Sequence, residues 1–335
     1  RRRRPERFEP LVAMNALFRP GPIQSGMFDS FIKRKNGDEP VEALHAEVAD
    51  LLADTYGVVV YQEQVMRVFQ TLGGLSLGEA DVLRKAIGKK DAELMRKELD
   101  KFVAGGKERG HDEAELVAIA ETIRKFAGYG FNKSHAVAYA FLAWQTAWLK
   151  AHHPVEFMTA LLTTEAKDGK PDKVQEYIGD AKKMGIRIFP PDVNYSEPYF
   201  SIERDPATDA AVGIRFGLVG IRNVGEDVVD LVVAERAKRP FGSYPDFLWR
   251  IKPNAKVAES FVFAGATGSL GGHPAQHWAT TEKILCGSRR AAMAPGQVSL
   301  LSTGDLDDVL ARDLEEAEPW DETALAANEH EVLGL

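Results

Sequence analysis

The sequence predicts a mainly α-helical chain: a multi-helix domain, then a small mixed segment, then a helix-hairpin-helix region. Three observations predict it. Apolar residues recur at helical spacing in one segment after another of the first half. The stretch from Ser134 to Leu149 is apolar nearly all round. Near residue 220, the tight turn Gly220-Ile221-Arg222-Asn223-Val224-Gly225 leads into a Val-rich helix.

The elements follow in order. Phe8 to Phe18 carries Leu11, Val12, Met14, Leu17 and Phe18 near helical spacing and stops at the rigid turn Arg19-Pro20-Gly21-Pro22. Phe28 to Lys35 is a second short helix, ended by Asn36-Gly37. Val58 to Tyr61 is extended and feeds a helix beginning at Gln62-Glu63-Gln64. Ser76, with Glu79 three residues on, is a capping box for a helix to Ile87, closed by Gly88. Asp91 to Phe102 and Glu113 to Phe126 are amphipathic helices. Gly128 to Lys133 is a loop, and Ser134 caps a helix expected to be buried on most faces, with Trp144 and Trp148 in a core or helix interface. Pro154 starts another helix, through Leu162. Ile186 to Pro191 is a short strand, Asp192 to Ile202 is turn-rich, and Ile214 to Leu218 is a strand end or helix entry. Val228 to Arg236 is a helix; after a Pro- and Gly-rich joint come Tyr244 to Ile251 and the Gly-rich residues 266–274.

Composition sets outer limits. A chain of 335 residues, 44% hydrophobic, is long enough for two or three packed domains. The net charge of −8 excludes a uniformly basic protein. Residues 1–160 and 161–295 are each net +1, and residues 296–335 are net −10. The acidity therefore belongs to the tail, which reads as a solvated helix or a linker. No apolar run approaches the ~20 residues that span a bilayer. The Arg-rich start lacks the apolar segment of a signal peptide. A single cysteine, Cys286, excludes an intramolecular disulfide and fits a reducing, cytoplasmic setting. The chain opens on Arg1 rather than Met and closes just after acidic residues, so it reads as a piece of something longer.

Three constellations carry chemistry. Gly128-Tyr129-Gly130-Phe131-Asn132-Lys133-Ser134-His135 opens a helix. Glycines allow close backbone approach, a helix start offers free N–H groups, and Lys133 is a point charge for phosphate. The result is either an anion-binding corner or a plain cap with a solvated lysine. Arg84-Lys85-Ala86-Ile87-Gly88-Lys89-Lys90 places four cations at a helix C-terminus, which suits the helix dipole or a phosphate. The third is Phe216-Gly217-Leu218-Val219-Gly220-Ile221-Arg222-Asn223-Val224-Gly225, a hairpin that would offer backbone N–H groups to phosphates of one DNA strand, or would be an ordinary turn between helices. Asn223 stands where the usual first glycine would, and tolerates left-handed backbone better than most residues. No paired carboxylates on a strand and no Ser/His/Asp arrangement stand out, and His152-His153 has no third ligand nearby.

Six motifs in order carry a resemblance. They are Ala16-Leu17-Phe18-Arg19-Pro20-Gly21-Pro22, Thr55-Tyr56-Gly57-Val58 with Tyr61-Gln62-Glu63-Gln64-Val65-Met66, Ser76-Leu77-Gly78-Glu79-Ala80-Asp81, Arg84 to Lys90, Phe126 to His135, and Gln145 to His152 leading to Pro154-Val155-Glu156-Phe157-Met158. Through them Pro10 to Leu162 resembles the fingers region of the C family of bacterial replicative DNA polymerases, the DNA polymerase III alpha subunits. Weaker similarity runs through Phe189-Pro190-Pro191-Asp192-Val193-Asn194 into a region where the family carries a tandem helix-hairpin-helix; Ala258 to Leu270 follows the second unit only loosely. Trp320 to Leu335 resembles the segment before the family's oligonucleotide-binding domain.

The resemblance implies a fingers domain over 1–165, a connecting segment over 166–208, a helix-hairpin-helix region over 209–295 and an acidic linker over 296–335. It implies a part of a nucleotidyltransferase that binds dNTP and template-primer DNA for 5′–3′ synthesis. Arg19, Arg84, Lys85, Lys89, Lys90, Tyr129, Asn132, Lys133, Ser134 and His135 would face the triphosphate, and Gly220, Arg222, Asn223 and Gly225 the DNA. Catalytic carboxylates and their Mg²⁺ would sit in a palm outside this chain, as would the thumb, the oligonucleotide-binding domain and contacts to the sliding clamp and other replisome subunits. This chain alone is expected to be inactive and to have no membrane partner. The alternative is a non-catalytic DNA-binding or scaffold protein that retains fingers and hairpin modules.

Overall fold

The computed structural model describes residues 7–89, 91–126, 129–291 and 314–334, with side chains up to residue 283 in the third stretch. The chain divides into two compact units, residues 1–147 and 148–335. Among the described residues, no helix is long and apolar enough to cross a membrane.

The first unit is helical. It comprises α1 (Phe8–Leu17), α2 (Pro20–Gln24), α3 (Met27–Asn36), α4 (Gln62–Gly73), α5 (Leu77–Lys89), α6 (Ala92–Glu108), α7 (Glu113–Phe126) and most of α8 (Lys133–His152). The Pro-Gly-Pro turn closes into the short helix α2, because Pro20 sits at the first helical position, where its missing N–H costs nothing. Gly37 ends α3 in the left-handed conformation, φ 80°. The capping box holds: Glu79 Oε2 accepts the Ser76 N–H at 2.9 Å, and Ser76 Oγ accepts the Glu79 N–H at 3.3 Å. The helix it opens runs past Gly88 to Lys89.

Two cores hold this unit. Helices α4 to α7 bury Val68, Phe69, Leu83, Phe102 and Ile123 around the stacked rings of Phe69 and Phe102, whose centroids are 4.5 Å apart. Burying a phenylalanine of this kind contributes about 2 kcal/mol. A second core joins α1 and α3 to the strand-like Val60-Tyr61 and to Ala136 and Ala140 of α8.

Helix α8 departs from expectation. Only Ala136 and Ala140 are buried. Tyr139, Leu142, Trp144 and Trp148 are 43–57% exposed. The two alanines form one i,i+4 stripe, and that stripe alone meets the core. An apolar sequence cannot tell which of its faces the same chain will cover. The cap differs too: His135 N–H donates to Asn132 Oδ1 at 2.8 Å, so Asn132, not Ser134, caps α8.

The second unit opens with α9 (Pro154–Lys167) and α10 (Pro171–Lys183), which pack on a three-stranded sheet. Strands β1 (Ile188–Phe189), β2 (Ser201–Arg204) and β3 (Ala211–Arg215) lie in the order β1-β3-β2. β1 runs parallel to β3 with Ile188 opposite Ile214, and β2 antiparallel with Ile202 opposite Ile214. Then come α11 (Glu226–Lys238), α12 (Tyr244–Ile251), α13 (Ala255–Phe263), α14 (Pro274–Ala291) and α15 (Glu322–Leu333).

The Pro-Pro-Asp-Val-Asn stretch fastens this region together. The Asp192 carboxylate accepts the N–H of Asn194 at 2.8 Å and of Ser269 at 3.1 Å. The Asn194 side chain clasps the backbone of Phe241 through bonds of 3.0 and 2.9 Å.

Part of the segment expected as an acidic linker is built into the core. Val332 is buried, and Leu314, Trp320 and Leu333 pack beside it. Trp320 meets Phe263 edge-on, ring centroids 5.6 Å apart. Asp321 caps α15 by accepting the Ala324 N–H at 2.7 Å. The charge of α15 lies on its outer face while one apolar edge turns in, so net charge alone hid it. Residues 296–313 of the linker lie outside the described residues.

Candidate functional site

The corner at the start of α8 is built where two chain segments meet. Tyr61 and Phe131 form an isolated parallel bridge, with Gln62 N–H donating to Phe131 O at 3.0 Å. This fixes the loop before α8 against the N-terminus of α4. Glu63, in the first turn of α4, then receives the α8 N-terminus. Its Oε2 accepts the Lys133 backbone N–H at 2.9 Å and its Oε1 the Asn132 amide at 3.0 Å. A carboxylate at a helix N-terminus is favoured by the dipole and by the free N–H groups.

Arg19, the residue that precedes α2, is brought to the same loop. Its Nε donates to Ala16 O and its Nη2 to Tyr129 O, both at 2.8 Å, and the guanidinium lies 4.4 Å from the centre of the Phe131 ring. Burial lowers the Arg19 pKa from its ordinary value. Gly21 is required here, because a Cβ at this position would collide with the Tyr129 ring. Asn132, Lys133, Ser134 and His135 are exposed. Lys133 Nζ lies 5.5 Å from the centre of the Tyr61 ring and has no ion pair among the described residues. His135 packs between Phe131 and Tyr139, with ring centroids at 5.4 and 4.7 Å. Burial, with the Asp54 and Glu63 charges adding to it, raises the Tyr61 pKa and keeps that hydroxyl protonated.

The second expected edge is at the C-terminal end of α5. Arg84 and Lys85 both pair with Asp81, at 2.6 and 3.0 Å. Those hydrogen bonds lower the Asp81 pKa from its ordinary value. Lys89 is exposed at the end of α5, and Lys90 lies outside the described residues, as does Gly128. Among the described residues, no hydrogen bond or ion pair joins this edge to the 129–135 loop. Arg19, Tyr129, Asn132, Lys133, Ser134 and His135 thus share one corner, while Arg84, Lys85 and Lys89 lie on α5.

The hairpin has the expected backbone. Leu218–Gly220 is a short 3-10 turn, and Asn223 takes the left-handed conformation, φ 67°. Ile221 and Val224 are buried beneath it, while Arg222, Asn223 and Gly225 are exposed. Asn223 Nδ2 donates to Ser260 Oγ on α13 at 3.1 Å. Arg222 N–H donates to Val332 O of α15 at 2.9 Å. Gly220 N–H is likewise used, by Gly217 O. The backbone N–H groups of Asn223 and Gly225 have no acceptor among the described residues. They and the Arg222 side chain face outward at the start of α11.

Sequence reasoning gave no site role to Glu63 or Tyr61. Glu63 lies 70 positions from Lys133, and no local spacing signals such a contact.

The fold and these two sites define a helical protein with an anion-suited helix start and a helix-hairpin-helix module. Comparison with known proteins agrees. The chain matches the bacterial DNA polymerase III alpha subunit finger domain over residues 1–110 and a helix-hairpin-helix motif over residues 185–277. It is 48% identical over 267 residues to DNA polymerase III subunit alpha of Aquifex aeolicus, covering 78% of this chain and 22% of that protein. With the Thermus aquaticus protein of that name the identity is 42% over 343 residues, covering 99% of this chain and 27% of the relative. With that of Escherichia coli K12 it is 37% over 354 residues, covering 100% and 29%. The chain belongs to the family of bacterial DNA polymerase III alpha subunits and corresponds to its fingers through helix-hairpin-helix stretch. It spans less than a third of the length of these relatives.

Proposed function

We propose that this chain is the nucleotide- and duplex-handling part of a bacterial replicative DNA polymerase. It takes up the incoming dNTP at the 129–135 corner and template-primer DNA at the 220–225 hairpin, for 5′–3′ synthesis in the cytoplasm. One observation carries the reading: Lys133, Ser134 and His135 stand exposed in the first turn of α8 while Arg19 holds the loop behind them.

Phosphoryl-type transfer is catalysed mainly by positioning and by neutralising developing charge. Lys133 supplies a mobile positive charge, and Ser134 and His135 supply donors. Two of the Arg19 nitrogens bind backbone carbonyls and position the loop, and its remaining N–H donors would serve the phosphate. Arg84, Lys85 and Lys89, at the end of α5, would bring further positive charge to the triphosphate, although Asp81 pairs with the first two. At the hairpin, the open N–H groups of Asn223 and Gly225 with the Arg222 charge suit phosphates without reading bases.

The residues of the 129–135 corner do not fit Mg²⁺. Lys133 is cationic, the Asn132 amide oxygen is taken by the His135 N–H, and both oxygens of the one carboxylate, Glu63, are taken by N–H groups. Metal-assisted chemistry therefore belongs to carboxylates of the palm. The palm, the thumb, the oligonucleotide-binding domain, the sliding clamp and other replisome subunits are the partners this reading requires.

The test is Lys133→Ala in the complete polymerase. The KM for dNTP should rise about tenfold, the loss of one charge-assisted contact, with DNA affinity little changed. Equal loss of both would overturn the triphosphate role. The pure chain should not extend a primer, and detectable incorporation by it would overturn the division of labour.

A further inference from the structure

His45, Glu47 and His111 converge within the first unit, and neither site described above uses them. Each offers one metal-ligating atom, and these atoms lie within 4.8 Å of one another. His45 and Glu47 come from the 3-10 turn around residues 46–48, and His111 from the turn between α6 and α7. The two rings meet edge to face with centroids 5.2 Å apart, and both side chains are only 13% exposed. Their charged partners nevertheless stand off. His111 Nδ1 is 3.9 Å from Glu47 Oε1, and His45 Nε2 is 3.9 Å from Glu115 Oε2, both beyond hydrogen-bond reach.

One short contact fixes the chemistry of His45. Its Nδ1 accepts the Glu47 N–H at 3.1 Å, so in the neutral ring the proton sits on Nε2, facing Glu115. A lone pair at one nitrogen and a carboxylate facing the other N–H is how a metal-ligating histidine is usually supported.

We infer that His45, Glu47 and His111 bind one divalent transition-metal ion of the zinc class; Glu115, now 3.9 Å from His45 Nε2, would support that ring only by closing to hydrogen-bond distance. Two imidazoles and a carboxylate suit Zn²⁺ or Co²⁺, whereas Ca²⁺ and Mg²⁺ need more oxygen ligands. Tetrahedral ligands lie roughly 3.3 Å apart at the usual ~2.0–2.1 Å bond lengths. The three groups therefore draw in by at most about 1.5 Å, and Glu47, 52% exposed, has the freedom to turn. The ion takes over the Nδ1 lone pair that the Glu47 N–H now uses. Bound, it clamps the 46–48 turn to the α6–α7 turn, and the fourth position is left to water.

The chain, stripped with a chelator, is titrated with Co²⁺ and the visible d–d absorption is followed. The band should saturate at one equivalent and be displaced by Zn²⁺. His111→Ala and Glu47→Gln should weaken binding by more than roughly tenfold, Glu115→Gln by about tenfold, and His330→Ala not at all. His111 lies in a surface turn, and circular dichroism checks that its variant is folded. If His45→Ala fails to fold, His111→Ala and Glu47→Gln carry the test. An absent or unsaturable band, or a band that survives His111→Ala and disappears in His152→Ala, overturns the site.

Discussion

Glu63 accepts the backbone N–H of Lys133 at 2.9 Å, so one carboxylate joins the first turns of α4 and α8. The helix start that the sequence offers to an anion is thus already partly occupied by the protein's own anion. On the proposed reading, a triphosphate at this corner would meet the side chains of Lys133, Ser134 and His135 first, and would share the backbone with Glu63.

Glu63→Ala should have two opposite effects. Losing a helix-capping carboxylate should destabilise the chain by about 1 kcal/mol, read as a lower midpoint in urea unfolding. Removing a negative charge beside Lys133 should tighten triphosphate binding, read by titrating dNTP into the complete polymerase. Weaker triphosphate binding by a folded Glu63→Ala variant would show that the carboxylate orders the corner more than it repels the ligand.

Asn223 tests the hairpin backbone. At φ 67°, Asn223→Gly should be tolerated, although it gives up the bond to Ser260. Asn223→Val should cost about 1–2 kcal/mol more than Asn223→Gly, because a β-branched residue resists left-handed backbone. Chemical denaturation of the two variants makes the comparison. Arg222→Ala should leave stability unchanged and weaken DNA binding uniformly across sequences, lowering the salt slope by about 1. A loss confined to particular sequences would contradict backbone-only contact.

What could be read from the sequence was local. Ser76 and Glu79 lie three residues apart, so their capping box needs no tertiary knowledge. Asn223 in a Gly-rich turn similarly announces its own left-handed backbone. Helix α10 left a usable signal in Val174, Ile178 and Ala181, buried at helical spacing, yet its charged surface masked it. Glu63 was invisible because its role depends on a partner 70 positions away. The exposure of α8 was invisible for the complementary reason: a pattern of apolar residues records that a face wants covering, not what covers it. The same limit hid Val332 inside an acidic tail.

That tail should matter to the hairpin. Trp320 packs on Phe263, and Val332 O holds the Arg222 N–H. Trp320→Ala should cost about 2–3 kcal/mol, below the full range for a core aromatic because the ring is only partly buried. Thermal unfolding should show it as a lower Tm, and DNA affinity should fall with it as the hairpin loses its support. A Trp320→Ala protein as stable as the parent would mean that residues 314–334 rest on the core without contributing to it.

His277 should make the second unit acid-sensitive. The ring is buried, stacked on Tyr244 at 4.4 Å, and bonded at both nitrogens: Nδ1 to the Thr267 hydroxyl at 2.8 Å and Nε2 to Gly271 O at 2.6 Å. Since Gly271 O can only accept, Nε2 carries the proton and Nδ1 accepts from Thr267 in the neutral ring. Burial pushes the pKa below its ordinary 6.5; the Gly271 carbonyl offsets part of this, and His273 adds a little to it. The unfolded chain therefore binds a proton near pH 6.5 that the folded chain resists. The contribution of the neutral ring is complete above that pH and is lost as pH falls through 6.5 toward the depressed folded value. Tm measured at pH 7.5 and 5.5 for the parent and for His277→Phe isolates the effect from the carboxylates, which titrate in both. The variant should start lower, having lost two hydrogen bonds, but fall less between the two pH values. Equal falls in parent and variant would remove His277 from the acid response.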